Sequence, residues 1–185
     1  MTFRDLVLKT RTVRKFDQSV KIEMATLREL VDLARLAASG ANLQPLKYVL
    51  SCDAAKNARI QPFVGVGGNP KEGQHATAYI IVLGDKTIRE SFGCDHGIAV
   101  QNIMLGAAEK GLAGVIVGNV RREELARALE IPPRYEVLLV LALGKPAEKV
   151  VLEKVPADGN LRGWWDEQGV RHTPKRSLDD IILPN

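Results

Sequence analysis

Three almost uninterrupted apolar runs constrain this chain more than any other feature: Ala78 to Leu83, Ala113 to Gly118 and Tyr135 to Leu143. Runs this short and this rich in Val and Ile, set between turn formers, read as strands buried on both faces. The third gives the strongest strand signal, with Val137, Leu138, Leu139, Val140 and Leu141 in succession and Gly144-Lys-Pro146 closing it. A further strand is expected from Leu46 to Ser51.

Helices are expected between the strands. Thr2 and Asp5 have capping-box spacing, and Phe3, Leu6 and Val7 give a short first helix one apolar face. Leu27, Leu30, Val31, Ala34 and Ala38 recur at three and four, which predicts an amphipathic helix from Glu23 to Ala38. A short helix fits Asp53 to Ile60. A long one fits Ser91 or Asp95 to Lys110, with Ile98, Ile103, Leu105 and Ala108 inside and Gly111 at its end. Asn119 is placed to cap a helix from Arg121 to Leu129, which Pro132-Pro133 stops. Ser39 to Pro45 and the glycine-rich stretch from Pro62 to Gly73 read as loops.

Beyond Pro146 the periodicity fades. Pro156, Asp158, Gly159 and Asn160 are turn formers, and Trp164-Trp165 stands as an isolated aromatic pair. The tail, about 147–185, is expected not to pack as a core unit. It is read instead as wrapping over another subunit, anchored by Leu178, Ile181, Ile182 and Leu183.

At 185 residues the default is one domain, residues 1–185. With 45% hydrophobic and 26% charged residues, a sizeable core is available without staples. A net charge of +4 is small and spread along the chain, so nucleic acid is not the expected partner. Cys52 and Cys94 lack metal-ligand spacing and read as small core residues in a reducing compartment, and no metal is expected. Met-Thr-Phe-Arg-Asp has none of the features of a signal peptide and no apolar run approaches a membrane span. The expectation is a cytoplasmic enzyme or binding protein.

The chemistry concentrates in Lys9-Thr-Arg-Thr-Val-Arg-Lys-Phe16. β-Branched Thr12 and Val13 disfavour continuing the first helix, so Arg11 and Arg14 can converge, with Thr10 and Thr12 hydroxyls beside them. Such a fork suits a phosphate. On these eight residues alone a solvated basic turn is the commoner outcome. Gly65-Val-Gly67-Gly68-Asn-Pro70 fits neither a dinucleotide fingerprint nor a phosphate loop, and reads as a lid or connection. His75, His96 and His172 read as ordinary surface or hydrogen-bonded histidines. No nucleophile–base pair or carboxylate pair stands out, so no catalytic side chain is assigned.

Five motifs in order carry a resemblance. Arg11-Thr-Val-Arg14-Lys-Phe16 is followed by an amphipathic helix and Ser39-Gly-Ala-Asn42-Leu-Gln44-Pro45. Asp95-His-Gly-Ile-Ala-Val-Gln-Asn102 comes next, then Gly118 with a helix and Val140-Leu-Ala-Leu-Gly144-Lys-Pro, and finally Pro174-Lys-Arg-Ser-Leu178. Together they resemble the nitroreductase family of flavin mononucleotide (FMN) enzymes. The resemblance implies an α+β fold, a mostly antiparallel central sheet flanked by helices, built as an intertwined homodimer with C-terminal strand exchange and a flavin at each subunit interface. It further implies hydride transfer from NAD(P)H through FMN to a nitroaromatic or quinone-like small-molecule acceptor in ping-pong order. The same scaffold hosts dehydrogenation, dehalogenation and flavin fragmentation, and a non-catalytic sensor or carrier is the alternative.

Carried over by position, Arg11, Thr12 and Arg14 would hold the flavin phosphate and ribityl chain, with Lys175 or Arg176 from the tail. Asn42 and Gln44 would approach the ring system, with Ser39 and Gly40 nearby. Val117 and Gly118 would present backbone to the ring, Gly118 without a Cβ in the way. The sequence departs from the family where Ala38-Ser39 replaces Pro-Ser and Leu46 replaces an aromatic residue. Those changes predict a less aromatic pocket.

Overall fold

The computed structural model describes residues 2–67 and 70–183. Gly68 and Asn69 of the glycine-rich loop lie outside the described residues. The chain forms two compact units, one ending at Pro146 and the other starting at Ala147.

Five strands of the first unit form one sheet in which every pairing is antiparallel. They are β1 (Phe16–Asp17), β2 (Leu46–Ser51), β3 (Ala78–Asp85), β4 (Ala113–Val117) and β5 (Tyr135–Pro146). The long β5 is the hub. Its residues from Tyr135 to Leu143 pair with β3, those from Val140 to Gly144 pair with β4, and Lys145 and Pro146 pair with β1. Since 140–143 bond to both β3 and β4, those two strands occupy opposite edges of β5. β2 lies beyond β3, so β3 is interior and all eight of its residues are buried, as its apolar run predicts.

Two helices close over the sheet, α2 (Met24–Arg35) and α4 (Asp95–Glu109), following the short α1 (Phe3–Lys9) and α3 (Ala54–Ile60) scheme of alternation in the chain. Leu27, Leu30 and Ala34 of α2 meet Ile103 and Ala107 of α4 over Ile80, Val82, Leu139 and Leu141. Each fully buried Leu or Ile here contributes about 1.5–3 kcal/mol. The termini follow local chemistry. Thr2 and Asp5 form the expected capping box, and Asp53 accepts from Lys56 N at the start of α3. The last helix, α5 (Arg122–Ala128), ends in a Schellman motif: Ile131 N donates to Ala126 O and Glu130 N to Arg127 O, with Glu130 left-handed at φ 55°.

Several expectations need correction. α2 stops at Arg35, short of Ala38, and the chain turns so that Ser39 and Gly40 bond to Asp95 instead. Asn119 does not cap α5. Arg121 holds that place without a side-chain bond, while the Asn119 carbonyl accepts from Gly65 N as Val64 and Val120 bridge. Ile98 is 41% exposed and Ile116 43% exposed. β4 therefore alternates, with Val115 and Val117 inside and Ile116 outside, and has one open face.

The second unit contains strands where turns and an isolated aromatic pair were expected. β8 (Arg171–Lys175) lies between β6 (Val150–Lys154), which is parallel to it, and β7 (Trp164–Trp165), which is antiparallel. Pro174 hid β8, since proline is unusual within a ladder. Of the unit's described residues only Pro174 is buried, so this is a sheet without an apolar core, as expected of the tail. Polar and aromatic contacts replace that core. Trp164 stacks on His172 with ring centres 4.9 Å apart, the Arg171 guanidinium lies 3.9 Å above the Trp165 ring, and Trp165 Nε1 donates to Glu148 Oε2 at 3.2 Å.

His172 is held on both sides, by Asp166 Oδ2 at 3.0 Å from Nε2 and Glu153 Oε1 at 2.9 Å from Nδ1. A neutral imidazole has only one N–H, so only the imidazolium satisfies both carboxylates. The bonds to Asp166 and then Glu153 raise its pKa above 6.5. Because the folded value lies above the unfolded one, this contribution to stability is fully present below pH 6.5 and fades as pH rises through the folded value. Asp166 works oppositely: the bond from His172 lowers its pKa, so its contribution is present above 3.8 and lost as pH falls through the depressed value. NMR titration of the His172 ring is expected to give a midpoint above 6.5. A midpoint at or below that value would show that the paired carboxylates do not hold the proton.

Candidate functional site

The residues that the sequence singles out fall, within the first unit, into three groups. The first is the basic segment after α1. α1 ends at Thr10, whose backbone N–H and hydroxyl both donate to Leu6 O, and the chain then extends along β4. Val13 N donates to Gly114 O at 2.9 Å, Thr12 bridges to Gly114, and Phe16 is fully buried. Arg11 turns back so that Nη2 donates to Val7 O at 2.6 Å, while its buried Nε has no hydrogen-bond partner. Burial lowers the pKa of this guanidinium from its ordinary value. A partly desolvated cation with an unused donor is an incomplete arrangement that an anion would complete. Arg14 runs past Gly67, where a Cβ would stand 3.7 Å from Nε.

The second group is the loop from Ser39 to Gln44, which contains a short 3₁₀ turn at Gly40–Asn42. Ala41, Asn42 and Gln44 all have positive φ, at 52°, 55° and 51°. Outside glycine such backbone is uncommon, and strain of this kind gathers at functional sites. The loop is held from within and from behind. Gln44 N donates to Ser39 Oγ at 2.9 Å, and Gln44 Nε2 lies 3.2 Å from both Asn42 O and Asn42 Oδ1. Ser39 Oγ donates to Asp95 Oδ2 at 2.7 Å and Gly40 N to Asp95 Oδ1 at 3.0 Å. The side chains of Asn42 and Gln44 are left at the surface. A cavity of about 240 Å³ lies behind them, lined by Ala38, Ser39, Gln44, Tyr48 and Asp95 among others. That is below the roughly 300 Å³ at which ligand-sized clefts begin, so the cavity alone does not hold a large cofactor.

The third group closes β4. Val117 is buried as the last residue of the strand, and Gly118 follows with open space where a Cβ would be. Its carbonyl accepts from Val120 N at 3.0 Å and Arg122 Nη2 at 3.1 Å, which fixes the peptide.

β4 thus joins the first group to the third: Thr12 pairs at Gly114, and Gly118 lies just past the strand's other end. The second group belongs to a different corner of the unit, tied to the start of α4. Lys175 ends β8 and Arg176 follows it, both in the second unit.

Comparison with known proteins bears on this arrangement. The sequence model of the nitroreductase family matches residues 7–79 and 68–145. The chain belongs to the nitroreductase family. The matched ranges take in all three groups and end one residue before the first unit does, while Lys175 and Arg176 lie beyond them. An NADPH-flavin oxidoreductase of Vibrio harveyi is 27% identical over 168 residues, covering 83% of this chain and 70% of that protein. A nitroreductase family protein of Streptococcus pneumoniae TIGR4 has a similar fold, with a TM-score of 0.76, 17% identity and full coverage of both chains. A chain from Exiguobacterium sibiricum 255-15, solved in complex with FMN, aligns with a TM-score of 0.69 and 20% identity over 80% of this chain and 89% of its own. The nitroreductase fold, α+β around an antiparallel sheet, is therefore that of this chain.

Asp95 is the residue of this site that sequence reasoning gave no role. It is 4% exposed, and both its oxygens are spent on a loop 55 and 56 residues away in sequence. An acidic residue in the first turn of a helix is ordinary, so the sequence offered no signal of that pairing.

Proposed function

We propose that this chain is an FMN-dependent oxidoreductase of the cytoplasm that takes hydride from NAD(P)H and reduces nitroaromatic or quinone-like acceptors. The observation that carries this reading is Arg11: a half-buried cation whose buried Nε is unused, next to Thr12 and Arg14, in a family whose relatives include a flavin oxidoreductase. The residues fit the cofactor. Arg11, Thr12 and Arg14 would hold the phosphate and ribityl chain, joined by Lys175 or Arg176. The open space over Gly118 suits a flat ring against backbone, and Asn42 and Gln44 expose amides that can bond to ring heteroatoms. When bound, FMN supplies the two-electron carrier, taking hydride from a reduced nicotinamide and passing both electrons to an acceptor that follows it into the same site. The chain's own work is to bind the phosphate, orient the ring and cover one face of it. A single open face makes the order ping-pong, and no side chain here acts as acid or base.

The reading also requires two copies of the chain. None of the residues of α1 is buried, and Phe3 is 72% exposed. Ile98 and Ile116 are exposed as well, and so in the tail are Leu178, Ile181, Ile182 and Leu183, the last at 86%. A second copy would cover these faces, the tail of each chain wrapping the other and adding a strand, with Ser39 to Gln44 of one protomer completing the site at Arg11 and Arg14 of its partner. Folding and association then become one event. Sedimentation at micromolar concentration is expected to show a dimer, and a stable folded monomer would remove this part of the reading. No helix among the described residues is long and apolar enough to cross a membrane.

The deciding experiment is an absorption spectrum of the purified protein, supplied with FMN, before and after anaerobic NADPH or NADH. Flavin bands that bleach and return on adding a quinone are expected. A yellow protein that neither nucleotide bleaches would be a flavin carrier or sensor, and a protein that takes up no FMN would end the reading.

A further inference from the structure

We propose that Asp95 is a positioning residue, which through Ser39 and Gly40 holds the strained loop in the conformation that presents Asn42 and Gln44 to the cofactor. The proposal rests on the flavin reading given above and adds a residue to it. Three facts meet at this carboxylate. The loop carries left-handed backbone at Ala41, Asn42 and Gln44, a conformation that persists only when its surroundings over-determine it. Asp95 is the outside constraint: Oδ2 accepts from the Ser39 hydroxyl and Oδ1 from Gly40 N, so it grips the loop where it leaves the α2 side of the chain. The Ser39 hydroxyl relays this grip, because the same oxygen accepts from Gln44 N and so closes the loop across Asn42.

The carboxylate is built for the task and not for proton transfer. Both donors need an acceptor at once, which a carboxylate offers and a carboxamide does not, since one of its two atoms carries hydrogens. The bond from Ser39, with Gly40 N and nearby Arg89 adding to it, keeps Asp95 below the usual carboxylate range, so it stays charged. α4 is a firm base, with Ala99, Val100 and Ile103 buried against the sheet core. Asn42 and Gln44 are thus fixed relative to the core by a buried ionised group, although they stand on an exposed turn.

The test compares the parent with Asp95→Asn, Ser39→Ala and the double variant by amide hydrogen exchange without FMN, and by FMN titration of fluorescence. Asp95→Asn is expected to speed exchange at Gly40 and Gln44 roughly tenfold and to weaken FMN binding by about the same factor, while exchange in β3 and β5 stays as in the parent. Ser39→Ala is expected to release Gln44 but not Gly40, and the double variant to bind FMN no more weakly than Asp95→Asn alone, as a single relay requires. Unchanged exchange at both amides in Asp95→Asn would overturn the proposal, and so would released amides with parental FMN affinity. If Asp95→Asn does not fold, Ser39→Ala decides: an unchanged Gln44 amide there overturns the relay. If the parent binds no FMN, the flavin reading fails on its own, and the exchange data still decide whether Asp95 holds the loop.

Discussion

Replacing Arg14 with alanine is expected to weaken FMN binding by about ten- to a hundredfold while leaving the protein folded. A hydrogen bond to a charged group is worth about 1.5–3 kcal/mol, and each 1.4 kcal/mol is a factor of ten in affinity. Arg11 is a poor probe because it binds Val7 O in the last turn of α1, so its removal would disturb a helix as well as a ligand. Arg14 is half-buried in a segment whose place is fixed by backbone bonds of Val13 and Phe16 and by the buried Phe16 ring, none of which the substitution touches. FMN fluorescence titration gives the affinity, and sedimentation with a thermal melt reports the fold. An Arg14→Ala protein that binds FMN as tightly as the parent would place the phosphate elsewhere.

Gly114→Ala is expected to act on stability and site together. A Cβ there would stand 2.5 Å from Leu143 Cδ2, 2.8 Å from the Ala142 carbonyl oxygen and 3.3 Å from Met104 Sδ. Leu143 and Ala142 are fully buried, and the carbonyl belongs to the β5 backbone, so the added methyl meets neighbours that cannot swing aside. Overpacking of this kind costs about 1–3 kcal/mol and occasionally more. For a chain of this length each kcal/mol lowers Tm by roughly 2–4 °C. Gly114 also accepts from Val13 N, so β4 cannot shift without moving the segment that carries Arg11 and Arg14. A loss of FMN affinity should therefore accompany the lower melting point. A melt like the parent's would mean that β4 and β5 have slack these distances do not show.

Much of the fold could be read from the chain because its signals are local. The apolar runs at β3 and β5, the capping box at Thr2 and the Asp53 cap each depend on residues that touch within a few positions. What escaped depends on distant partners. That Ile98 and Ile116 face outward is decided by where α4 and β4 sit, not by their own hydropathy. Asn119 would make a good cap, but its backbone is engaged with Gly65 across the unit. β8 was hidden by Pro174 and by its place between two strands that both precede it in sequence. At the site, the order of basic segment, Ser39–Pro45 loop and Gly118 was legible as a family pattern, and the family match now spans it. The positive φ of Ala41 and Gln44 and the hold of Asp95 were not, since neither residue type announces a left-handed backbone or a partner 55 residues away.

The hub role of β5 also governs how quickly this protein can become active. Its ladder joins Pro146 to Phe16 and Gly144 to Ala113, and Gly114 in turn holds Val13. High contact order of this kind slows folding, because the chain must close its longest loops before the pairings return any stabilisation. The arginine segment is held through Gly114 of β4, which itself pairs with β5, so the cofactor site proposed there requires nearly all of the first unit to have been synthesised and folded.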